Sequence, residues 1–94
     1  MYQDAQCVQD AVEQLKTQRE HVANTTRVLE AIICHCSDVA RSAGALRIRE
    51  LATRFRDSAI SVYASSKGNA SVIRDLLEET IAGLEHELEL RQGS

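Results

Sequence analysis

The chain has 94 residues, of which 44% are apolar and only 3% aromatic, with no proline and a formal net charge of −3. That length holds one domain. The negative balance argues against general nucleic-acid binding, which draws its affinity from Lys and Arg on phosphates, and Tyr2, Phe55 and Tyr63 are too few to build a base-stacking platform.

Without proline and with much Ala, Leu, Arg and Glu, the chain is biased toward helix. From the N-terminus the apolar positions Val8, Leu15, Val22, Leu29, Cys36 and Ala43 form a seven-residue ladder in one phase. A loop normally resets such a phase, so residues 3–42 can be read as one continuous helix of roughly 60 Å. The competing reading breaks it at Asn24-Thr25-Thr26, where a side-chain oxygen can cap a new helix. Ser42-Ala43-Gly44-Ala45 is the best turn, and Gly44 can take the left-handed geometry that closes a helix. A third series, Leu46 through Tyr63, ends at the polar stretch Ser65 to Asn69. Asn69 or Ser71 is the expected cap of a fourth series: Val72, Ile73, Leu76, Leu77, Ile81, Leu84 and Leu88.

Helices are therefore expected near 3–23, 25–42, 45–65 and 70–91, the first two continuous if the ladder governs. Such an all-α chain forms either an antiparallel helical hairpin turning at Gly44 or a four-helix up-down bundle. The hairpin leaves an apolar seam that needs a partner; the bundle closes it within one chain. The longest purely apolar run, Ala31 to Cys34, falls far short of the roughly 20 residues a membrane span needs. Met1 to Asp4 carries no signal-peptide pattern. Three cysteines, an odd number, read as reduced thiols in a cytoplasmic protein.

Little in the sequence carries chemistry. Cys34-His35-Cys36 is conspicuous, but consecutive residues fan over roughly 200° of a helix, whereas a zinc site gathers its ligands at helical or turn spacing. Cys36 is expected in the core, with Cys34 and His35 beside it, and neither metal nor cofactor is expected. Adjacent Cys34 and His35 do not face each other, so no thiol–imidazole pair follows. Glu78 and Glu79 likewise point apart.

Charge gives the stronger pattern. Arg47 and Arg54, and Arg49 and Arg56, are each seven apart and flank the stripe Ile48, Leu51, Ala52, Phe55. The fourth segment is acidic, with Asp75, Glu78, Glu79, Glu85, Glu87 and Glu89, and is expected to match the basic third segment across an antiparallel pair. Arg47, Arg49, Arg54 and Arg56 with Leu51 and Phe55 form the candidate interaction surface. The function this implies is a non-catalytic protein–protein interaction module. It would bind another helix, or a second copy as a homodimer, through an apolar seam.

Two resemblances bear on the alternatives. Ala64-Ser65-Ser66-Lys67-Gly68-Asn69-Ala70 resembles the phosphorylatable motif of histidine-phosphotransfer domains, which are four-helix bundles. The family's histidine falls on Ala64, so the resemblance implies a phosphorelay-like bundle without a clear phosphoacceptor. His86-Glu87-Leu88 looks like the start of a sensor-kinase phosphoacceptor box. In length, helicity and central turn the chain is also similar to the Trp-x-Gly hairpins exported by type VII secretion systems, with Ala43-Gly44-Ala45 at its turn. That likeness implies a small secreted hairpin that pairs as a dimer.

Overall fold

The computed structural model describes residues 2–21, 23–65 and 69–92. Among them lie four α-helices: α1 (Tyr2–Thr17), α2 (Thr25–Ser42), α3 (Leu46–Ser65) and α4 (Ala70–Gln92), with a 3-10 turn, Gln18–His21, after α1. No strand occurs among the described residues. Each helix packs on its neighbours in chain order, α4 returns to α1, and α2 touches α4 across the middle. This is the ring of an up-down bundle. The Cα extents are 39 × 22 × 15 Å. A straight helix over residues 3–42 would alone run roughly 60 Å, so the bundle, not the extended hairpin, is the form adopted.

The continuous first helix is the expectation that fails, and the cause is local. The Asn24 side chain accepts the Arg27 N–H at 3.1 Å, starting α2, while the Asn24 N–H donates to the His21 carbonyl at 2.8 Å and closes the 3-10 turn. The ladder itself is buried: Val8, Leu15, Leu29, Cys36 and Ala43 all lie in the core, and Val22 falls outside the described residues. Its phase survives the reversal because the turn has a length that keeps it, not because the helix continues.

At the second reversal Gly44 does not take the left-handed geometry open to it. Ala43 is extended instead, at φ −73° and ψ 134°, and its N–H returns to the Val39 carbonyl at 2.9 Å. The Gly44 and Ala45 N–H groups donate to Asp4 Oδ1 and Oδ2 at 2.9 and 3.0 Å. A carboxylate from the start of α1 thus sits at the N-terminus of α3, where amides lack intrahelical acceptors and the helix dipole favours negative charge. The fourth helix starts as the sequence predicts, with Asn69 Oδ1 accepting the Val72 N–H at 3.0 Å.

The core runs the length of the bundle. α1 supplies Val8, Ala11, Val12 and Leu15; α2 supplies Val28, Leu29, Ile32, Cys36 and Val39; α4 supplies Ile73, Leu77, Ile81 and Leu84. α3 contributes Ile48 and two alanines, Ala52 and Ala59, seven apart. These small residues let α3 lie close to α2, and that pair forms the most extensive helix contact. The apolar seam is consumed inside the chain.

Candidate functional site

Ile48, Ala52 and Ala59 fix the rotation of α3 by pointing inward, and the arginines between them are thrown to the outside. Two grooves result. The first, about 860 Å³, lies between α2 and α3 and is lined by Ala40, Leu46 and Thr53, by Arg41, Arg49, Arg54 and Arg56, and by Glu50 and Asp57. The second, about 530 Å³, lies between α3 and α4, lined by Arg47, Glu50, Leu51, Arg54, Gly83, His86 and Glu87. Arg54 and Glu50 border both and stand on the ridge between them.

All four predicted arginines therefore reach the outer face of α3, but they are differently engaged. Arg47 Nε holds Glu87 Oε1 at 2.8 Å, and Glu87 is buried, with 4% of its surface exposed. Arg49 Nε donates to the Ala40 carbonyl at 3.3 Å, serving the C-terminal end of α2, where a cation complements the dipole. Arg56 pairs with its neighbour Asp57 at 3.1 Å. Arg41 of α2 pairs with Asp38. Among the described residues no hydrogen bond or ion pair engages Arg54.

The two apolar members of the predicted surface are placed less openly. Leu51 and Phe55 are half-buried against the core. A Cβ built on Gly83 would lie 2.8 Å from Cε2 and Cζ of Phe55, so the ring rests directly on the α4 backbone at this glycine. The large apolar side chain left open beside the arginines is Leu46, 66% exposed. The sequence pattern missed it because Leu46 occupies the first position of its helix, where the amphipathic stripe has not yet closed over.

Among the described residues the expected match of acidic α4 to basic α3 is made at one point, Arg47–Glu87. Two other α4 carboxylates turn to α1 and the 3-10 turn after it: Arg19 grips Glu78 with two hydrogen bonds of 2.8 and 2.7 Å, and Lys16 Nζ sits 2.9 Å from Glu85. The Arg19 hydrogen bonds hold the Glu78 carboxyl below its ordinary range.

Cys36 is fully buried on α2, and burial pushes its thiol up to about 12, so it behaves as a core hydrophobe. Cys7 is half-buried, and burial raises its thiol as well. Cys34 is exposed. The Ala64 to Ala70 stretch lies partly outside the described residues. His86 is exposed on α4 beside the second groove.

The fold and the site define an all-α four-helix bundle with an arginine-rich outer groove. Compared with known proteins, the chain matches no family model, no curated protein and no solved structure. Among the described residues no helix is long and apolar enough to cross a membrane.

Proposed function

We propose that this protein is a non-catalytic interaction module that takes an acidic amphipathic helix of a partner protein into the groove between α2 and α3. The observation that carries this reading is the groove's makeup. Leu46 and Ala40 form an apolar floor, and Arg41, Arg49, Arg54 and Arg56 outnumber Glu50 and Asp57 around it. A four-arginine groove in a chain of net charge −3 is a local inversion of the molecule's field, which steers and orients an oppositely charged partner. Arg54 is the natural anchor, because its fork of donors is uncommitted among the described residues. The bundle needs no second chain to close its core, so binding is an added activity rather than a condition of folding. Three free cysteines fit a reducing, cytoplasmic setting.

The test compares the wild type with Arg54→Glu/Thr53→Asp in parallel pull-downs from the source cells, with cross-linking to map the bound segment. The expected result is a partner that cross-links to α3 through an acidic helix, weakens at high salt and is lost with the double variant. Retention of the partner by that variant sinks the proposal. So does a dimer in sedimentation that the same variant dissolves, because the occupant is then a second copy.

A further inference from the structure

We propose that Cys34, His35 and Asp38 form a zinc-type metal site on the outer face of α2. The thiol sulfur, an imidazole nitrogen and a carboxylate oxygen of these residues lie within 4.8 Å of one another. Helical spacing brings them together: Cys34 and Asp38 are four apart and His35 and Asp38 three apart, so Asp38 is the neighbour that both share. A Cys-His-Cys reading misses this set, because Cys36 turns into the core and the third donor comes one turn later, from a residue with no motif of its own.

The distances suit a small tetrahedral ion after a modest rearrangement. Bonds of about 2.0–2.3 Å place tetrahedral ligands roughly 3.3–3.7 Å apart. Cys34 and Asp38 are both exposed, so side-chain rotation can close the remaining gap. His35 is half-buried and, with Asp38, borders a groove of about 290 Å³ between α1 and α2 that also holds Asp10 and Cys7. A second carboxylate along this groove favours a cation. Mixed sulfur, nitrogen and oxygen donors select zinc or cobalt over magnesium and calcium, which prefer oxygen alone.

Binding has one local competitor, the exposed pair between Asp38 and Arg41, and a surface pair of this kind gives way readily. On ligation the Cys34 thiol releases its proton to solvent, and the imidazole binds in its neutral form. Three protein donors leave the fourth position to water or to an added ligand, the arrangement of open rather than closed zinc sites.

Cobalt(II) serves as the spectroscopic probe, titrated into the untagged full chain under a non-thiol reductant. The expected result is saturable binding of one equivalent with a thiolate-to-cobalt charge-transfer band, bleached when zinc is added. Cys34→Ser abolishes the band. His35→Ala and Asp38→Ala weaken binding by tenfold or more, while Cys7→Ser leaves it unchanged. Circular dichroism verifies that each variant keeps its helicity, since none of these side chains is fully buried. Absence of a thiolate band in the wild type overturns the proposal, and so does a band that survives in Cys34→Ser.

Discussion

Asp4 accepts the amides of Gly44 and Ala45 from forty positions away along the chain. It is buried, with 4% of its surface exposed, and so joins the start of α1 to the start of α3. It stands in for the missing cap of α3, since Ala45 itself offers no side-chain acceptor. Asp4→Ala is expected to cost about 1–2 kcal/mol, the range for losing a good N-cap, and Asp4→Asn less, because an amide keeps one acceptor oxygen. Gly44→Ala provides the contrast. A Cβ there would rest 3.8 and 4.0 Å from the Asp4 carboxylate, ordinary contact with no backbone strain, so stability should change by no more than about 0.5 kcal/mol. Urea unfolding of the three variants checks this; a Gly44→Ala loss as large as that of Asp4→Ala would mean that the turn depends on glycine after all. The difference also explains what the sequence reveals at this scale. Asn24 and Asn69 are legible as caps because each bonds to an amide three residues on. Asp4 is not, because its partners become neighbours only after the bundle forms.

At the scale of the helices, α3 and α4 are legible from their apolar spacing, and the turn between α2 and α3 is legible in place from Gly44 though not in geometry. The boundary between α1 and α2 is obscured by a ladder whose phase crosses it. Nothing in a seven-residue repeat records a reversal of direction, so the decision falls to Asn24, one polar residue against six apolar ones. Gly83 is hidden for another reason: a glycine within a helical pattern reads only as a weak spot. Here it is the place where the Phe55 ring meets the α4 backbone. Gly83→Ala should destabilise the bundle by about 1–3 kcal/mol through overpacking, even though alanine is the better helix former. Phe55→Leu removes the 2.8 Å conflict, so the double variant should be more stable than the two single losses summed. Denaturant midpoints measure this coupling; strict additivity would show that the ring moves aside without penalty.

The order of the ring decides how charge is distributed over the whole molecule. The sequence shows a basic α3 and an acidic α4, but not that α4 stands between α3 and α1. Its carboxylates are therefore divided, Glu87 to Arg47 on one flank and Glu78 and Glu85 to Arg19 and Lys16 on the other. This division leaves the far side of α3 with arginines that α4 does not neutralise, which is where the candidate groove lies. The pairs with α1 and the 3-10 turn after it close the ring, and the stability that the Arg19–Glu78 pair adds follows pH in a defined sense. Glu78 has a carboxyl lowered by the Arg19 hydrogen bonds below its ordinary value of 4.5, so the unfolded chain binds its proton more readily than the folded one. Its contribution is complete above that ordinary value and is lost as pH falls through the lowered one. The side chains of both partners are more than two-fifths exposed, so salt screens the effect. Glu78→Gln should therefore be less stable than the wild type at neutral pH and low salt. The difference should shrink in high salt and disappear as pH falls through the lowered Glu78 value, below which its carboxyl is protonated and as uncharged as the amide of the variant. Thermal melts across that range provide the measurement. A difference that persists unchanged in acid would locate the effect in packing between α1 and α4 rather than in the charge that spans them.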